Sequence, residues 1–203
     1  MTDVIRTPKQ QRAILKKEKI IEAGFNLICK YGYHNINTME IAKEAGVSTG
    51  IVYQYFKDKY DILIEGLEKY SDDIFFPMLK NKDIKFDKSE FDNVLRDMIN
   101  YYIENQKTSN VAHEEIMSMV HSDKKVREYY YKRELEMTHS IKDILVNNGF
   151  KSEHLYEKVH VMIGLIDNLC HEVTYHKHSS MDYKCMTTLV IDNIKNLFRD
   201  DLV

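Results

Sequence analysis

Residues 38–56 read TMEIAKEAGVSTGIVYQYF. Thr38 is a candidate N-cap for a short helix over Met39–Ala45, because its hydroxyl can accept from an unpaired N–H of the first turn. Gly46 follows at a position suited to positive φ and ends that helix. Ser48 is the next candidate cap and opens Thr49–Phe56. Two helices of about two turns each, joined by a tight turn, make a helix-turn-helix. Ala42 is small enough to let the second helix approach, and Ile41, Ala45, Val47 and Val52 form the inward set. Upstream, Ile20, Gly24, Leu27, Ile28 and Tyr31 recur at helical spacing, and Gly32 sits where that helix would stop. Ile20, Leu27 and Ile28 cover the inward set across the loop Tyr33–Asn37, and Leu63 closes it from below.

The rest of the chain carries the same signature. Only 7 Gly and 2 Pro occur in 203 residues, too few for a protein of many strands and tight turns. A helical run continues from Tyr60 toward Lys80, and further helices are expected near 88–106, 110–121, 124–147, 153–177 and 182–199. The reading is all-α. Three cysteines (Cys29, Cys170, Cys185) are too few and too scattered for a disulfide framework. No apolar run follows the charges of MTDVIRTPKQQR, and none reaches the roughly 18 residues of a membrane span. A cytoplasmic location without membrane contact is therefore expected. The net charge of −3 is uneven: the first sixty residues hold ten Lys/Arg against six Asp/Glu, and the remainder is acidic. A basic head suits a polyanionic partner.

The run IAKEAGVSTGIVYQYFKDKYDIL resembles the signature of the TetR family of bacterial one-component transcription regulators. The segment IIEAGFNLICKYGYHNINTMEIA is similar to the family's first helix and its approach to the motif. The resemblance spans about the first 65 residues, and beyond them only length and helicity agree. It implies an N-terminal three-helix DNA-binding domain over 1–60, with a basic arm, and a larger helical effector-binding and dimerisation domain over 61–203.

Within that frame the helix from Thr49 presents its N-terminal end to the major groove. Thr49 can bond a base or touch a thymine methyl, and Gly50 lets the backbone come close. Tyr53 and Gln54 face outward one turn later, and Gln54 has the geometry to pair with adenine. Tyr55 has two readings, a hydroxyl directed at phosphate or a ring packed beside Val52 and Phe56. Thr38 and Ser48 offer helix N-termini to phosphate, and Lys59 resembles the family's phosphate-clamping lysine. Ile51 departs from the small polar residue common there, so the operator sequence does not follow. Arg6, Lys9, Arg12, Lys16 and Lys17 are read as a tail, either a solvated one or one that adds DNA contacts.

One such unit per chain implies a symmetric dimer, since successive major grooves lie about 34–36 Å apart. Its expected seam is the helix pair near 153–177 and 182–199, whose apolar arcs (Leu155, Val159, Met162, Ile163, Ile166, Leu169, Cys170 and Val173; Met186, Leu189, Val190, Ile194, Leu197 and Phe198) otherwise face their own core. Fourteen tyrosines and ten methionines suit a pocket for an apolar or aromatic small molecule. The residues expected to line it are Tyr102, Met117, Tyr130, Met137, Met162, Asp167 and His171. His160, Asp167, His171 and His178 form a polar stripe at steps of seven, four and seven. That stripe is open to four readings: solvated face, dimer seam, ligand contact or metal site.

An enzyme is not expected. His113-Glu114 is followed by Met117 and His171-Glu172 by Tyr175, where a zinc protease motif needs histidine, and no phosphate loop or nucleophile elbow occurs. No cofactor and no metal are expected. The sequence thus reads as a repressor released from a palindromic operator by a small effector, with a protein or peptide effector as the alternative.

Overall fold

A computed structural model describes residues 11–74, 84–104 and 108–202. The elements are α1 (Gln11–Tyr31), α2 (Thr38–Glu44), α3 (Thr49–Tyr55), α4 (Lys59–Ile74), a 3-10 turn (Lys88–Glu90), α5 (Phe91–Glu104), α6 (Asn110–Ser122), α7 (Lys124–Asn147), α8 (Leu155–Tyr175), α9 (Tyr183–Leu197) and α10 (Arg199–Leu202). Among the described residues there is no strand, and the fold is all-α. No described helix is long and apolar enough to cross a membrane. The expected extension of α4 to Lys80 lies outside the described residues. The helix expected from 88 opens instead as the 3-10 turn, capped by Asp87, whose carboxylate accepts the Ser89 N–H.

The chain divides into two compact units, one of α1–α4 with α6 and the start of α7 to Tyr130, the other of α5 and everything from Tyr131 onward. The boundary read at residue 60 falls inside the first unit, at the start of α4.

In the first unit, Ile20, Phe25 and Ile28 of α1 are buried together with Ile41, Val52, Phe56, Ile62, Leu63 and Leu67. Helices α1 and α4 come so close that a Cβ on Gly66 would lie 2.6 Å from the Phe25 ring, and one on Gly24 would lie 2.5 Å from Ile62 Cγ2. From α6, Ala112 and Ile116 are buried, and the Ser109 N–H donates to the Cys29 carbonyl at 2.9 Å.

In the second unit, α5, α8 and α9 enclose a core of Leu95, Ile99, Val159, Met162, Ile166, Leu169, Ile191 and Ile194. Four phenylalanines close one end: Phe91 lies 5.1 Å from Phe150, 5.7 Å from Phe198 and 6.0 Å from Phe86 between ring centroids. Asn148 fastens the chain beside them. Its side-chain oxygen accepts the Phe86 N–H at 2.9 Å, and its amide donates to the Ile84 and Ile144 carbonyls at 2.9 and 2.8 Å. Cys29 and Cys170 are buried thiols, and burial pushes both up to about 12. Cys185 is exposed, and none of the three is disulfide-bonded.

Candidate nucleic-acid interface

The helix-turn-helix forms where the sequence puts it, with its cap one residue earlier. Asn37, not Thr38, caps α2. Its side chain accepts from the Met39 and Glu40 N–H groups at 3.0 and 3.1 Å, while the Glu40 carboxylate accepts the Asn37 N–H at 2.8 Å. This is a reciprocal capping box. Thr38 becomes the first helical residue and is half-buried. Asn37 thus satisfies two of the first-turn donors of α2.

The turn closes through the Val47 N–H to the Ala42 carbonyl at 2.9 Å, with Gly46 at φ 66°. A side chain with a Cβ is strained in that conformation. Ser48 flanks α3 in extended conformation, and its carbonyl accepts from Ile51 at 2.9 Å. Its hydroxyl makes no capping bond, so the cap expected at Ser48 is a backbone one only.

On α3 and its N-cap, Ser48, Gly50, Tyr53 and Gln54 are exposed, with Tyr53 at 54%, and Thr49 is half-buried. These form one outward strip. Tyr55 takes the inward of its two readings: it is 7% exposed, and it is buried alongside Val52 and Phe56. A two-turn helix with Val52 and Phe56 already inward carries Tyr55 to the same side.

Lys59 is held rather than free. Its ammonium donates to the Tyr33 and Ile36 carbonyls at 2.5 and 2.8 Å and sits 4.4 Å above the Tyr33 ring. Two of its three N–H groups are engaged, so it staples the α1–α2 loop and keeps one donor for an outside acceptor. Lys43 and Lys57 are exposed. Arg12, Lys16 and Lys17, expected in a tail, lie on α1 itself. Arg12 and Lys16 are exposed, and Lys17 pairs with Glu65 at 2.6 Å. Arg6 and Lys9 fall outside the described residues.

The residues read as effector-facing divide between the units. Met117 and Tyr130 belong to the first unit and are half-buried. In the second unit, Tyr102 and Met137 are half-buried against the core, whereas Met162 is 1% exposed within it. Met162 is therefore core, not an open wall.

The polar stripe of α8 separates into local groups. His160 Nδ1 lies 3.1 Å from the Thr138 hydroxyl, which itself donates to the Glu134 carbonyl. His178 pairs with Glu172 at 3.4 Å, and the His178 N–H donates to the Tyr183 hydroxyl. The His171 ring lies 5.5 Å from Tyr175 and 4.7 Å from His176. Asp167 is exposed, yet desolvation by the groups around it is the largest cause raising its carboxyl above the ordinary range. Glu134 adds to that rise and His171 opposes it.

Comparison with known proteins places this geometry. Residues 20–65 match the family described as bacterial regulatory proteins, tetR family. The fatty acid metabolism regulator protein of Bacillus subtilis is 48% identical over 56 residues, which cover 28% of each chain. The HTH-type transcriptional regulator YerO of Bacillus subtilis is 24% identical over 192 residues, covering 90% of this chain and 64% of YerO. The chain thus spans from about a quarter to under two thirds of the length of these curated relatives. A crystal structure from Mesorhizobium loti, described as a TetR-family transcriptional regulator, superposes with TM-score 0.69 at 18% identity. The superposition covers 94% of this chain and 98% of that one, so the likeness in fold extends well beyond the matched segment. Over residues 20–65, then, the chain is similar to the tetR family of bacterial regulatory proteins.

Proposed function

We infer that the chain is a DNA-binding transcriptional regulator that reads duplex DNA with α3. The observation that carries this is the exposed strip Ser48, Gly50, Tyr53 and Gln54 on a helix whose opposite side is locked into the trihelical core. Gln54 supplies base-edge hydrogen bonding, Tyr53 a hydroxyl for phosphate or base, and Thr49 and Gly50 the close approach. Lys59 contributes a fixed positive charge at the loop.

The working form is a homodimer. Val161 on α8 and Leu189 on α9 are 50% and 57% exposed, and Gly164 has open space where a Cβ would stand. Exposed apolar side chains and a position without a side chain suit close helix–helix approach. The effector is a small apolar or aromatic molecule that favours one disposition of the dimer and so releases the operator. Differential affinity is what such a ligand needs, because equal affinity for both states shifts nothing. This regulator acts in the cytoplasm, where its DNA is.

The test is binding of fluorescent duplex DNA from the region upstream of its own gene, measured against salt. Wild type is expected to bind with affinity falling steeply as salt rises. Tyr53→Ala with Gln54→Ala is expected to lose at least about tenfold for that duplex with no change in helix content. Equal binding by the double variant would end the reading.

A further inference from the structure

The loop between α1 and α2 is the single covalent link from the first helix to the reading head, and its backbone is held from three sides. Asn37 and Glu40 fix its end through the capping box, and Lys59 holds the Tyr33 and Ile36 carbonyls. The third hold comes from α6. The Glu115 carboxylate accepts the His34 N–H at 3.0 Å, 81 residues away in sequence.

That contact depends on Gly32. Its φ of 90° ends α1, with its N–H donating to the Ile28 carbonyl at 2.8 Å. A Cβ there would stand 2.8 Å from Glu115 Oε2 and 2.9 Å from Oε1. The missing side chain therefore serves twice: it permits the left-handed turn, and it leaves the space that the carboxylate fills. Helix α6 is set to deliver Glu115, because Ser109 caps it through the Ala112 N–H at 3.1 Å and bonds the Cys29 carbonyl with its own N–H. Glu115 itself is half-buried at the edge of this unit, whereas Ile41, Val52, Phe56 and Ile62 of the trihelical core are fully or almost fully buried.

We propose that Glu115 is a positioning residue for DNA recognition, one that holds the α1–α2 loop through the His34 amide and thereby sets the angle at which α2 and α3 meet the duplex. This rests on the regulator reading above. A charge-assisted hydrogen bond to a backbone N–H in an irregular loop restricts that loop far more than it adds to a finished core. Loosening it lets the α1–α2 loop, and the start of α2 with it, shift within the packed trihelical unit. Groove fit, and with it discrimination between sequences, declines, while the general attraction to phosphates persists.

The test uses the full chain and a duplex that the wild-type protein selects from a randomised pool. Glu115→Ala is expected to weaken binding to that duplex by about tenfold, with a scrambled duplex bound as by wild type. Amide exchange at His34 is expected to quicken, while exchange at Phe56 stays slow. Glu115→Gln keeps an acceptor in place and is expected to bind like wild type, and Glu115→Asp, one methylene shorter, like the alanine variant. The Gln and Asp variants decide the matter if the alanine variant does not fold. Glu115→Asp binding the selected duplex at wild-type strength, or Glu115→Gln failing as badly as Asp, overturns the proposal. A wild-type chain that selects no duplex overturns the regulator reading beneath it.

Discussion

The Tyr60 hydroxyl donates to Asp123 Oδ1 at 2.8 Å and so ties the first turn of α4 to the residue that starts α7. Asp123 also accepts the Val126 N–H at 3.0 Å, which makes it the cap of α7 as well as the acceptor for Tyr60. Burial and the neighbouring carboxylate raise the Tyr60 phenol to about 12, so it remains a donor throughout the useful pH range.

Tyr60→Phe keeps the ring and removes this bond. A loss of about 1 kcal/mol in unfolding free energy is expected by urea titration at neutral pH. The Val126 N–H, and after it the Tyr60 hydroxyl, hold the Asp123 carboxyl below its ordinary range. Its contribution is therefore present above the unfolded carboxyl's pKa and is lost as pH falls through the depressed folded value. The gap between Tyr60→Phe and wild type should close on acidification. A gap of constant size down to strongly acid pH would assign the effect to packing.

Asn37→Ala removes the side-chain oxygen that serves two first-turn donors of α2. It should cost about 1 kcal/mol, and Thr38→Ala should cost clearly less. Chemical denaturation of both variants checks the order, and the reverse order would return the cap to Thr38.

Gly66→Ala puts a methyl group where the Phe25 ring already stands, in a part of the core closed by both α1 and α4. Overpacking of this kind costs about 1–3 kcal/mol. Thermal unfolding should show the loss, and Phe25→Leu in the same chain should recover part of it. An alanine variant as stable as wild type would mean that α1 and α4 separate freely.

Asp167→Asn tests the raised carboxyl on α8. A carboxyl whose folded pKa is raised destabilises the fold in its ionised form, and that penalty appears as pH rises from the unfolded value through the folded one. The asparagine variant should therefore melt higher than wild type at neutral pH and equally at strongly acid pH. Differential scanning calorimetry across that range reads it directly. A variant less stable than wild type at neutral pH would instead make the Asp167–His171 attraction the dominant effect.

The helical spacing of Ile20, Leu27, Ile28, Ile41 and Val52 was enough to place the helix-turn-helix, because those residues have only one side on which to meet. The cap falls at Asn37 and not at the expected Thr38, although Asn37-Thr38-Met39-Glu40 has the acidic residue three positions after asparagine that a capping box uses. Tyr55 was ambiguous because a two-turn helix has a narrow buried side, and residues at its edge turn either way. The partners of Lys59 are carbonyls, which no side-chain pattern announces. Glu115 left no mark, since one acid on an amphipathic helix looks like every solvated acid until Gly32 is seen beside it. Met162 reads as a pocket residue on its chemistry alone, and chemistry does not separate a pocket wall from a filled core.

Asn148 precedes Gly149, the pairing most prone to hydrolytic loss of the side-chain nitrogen on storage. Here that nitrogen is the donor to both Ile84 and Ile144. Conversion to aspartate would turn oxygen lone pairs toward two carbonyl oxygens, beside the four-phenylalanine end of the second unit. Ageing of a purified sample should begin there, with a unit mass gain on the peptide carrying residue 148 preceding any loss of the bulk fold.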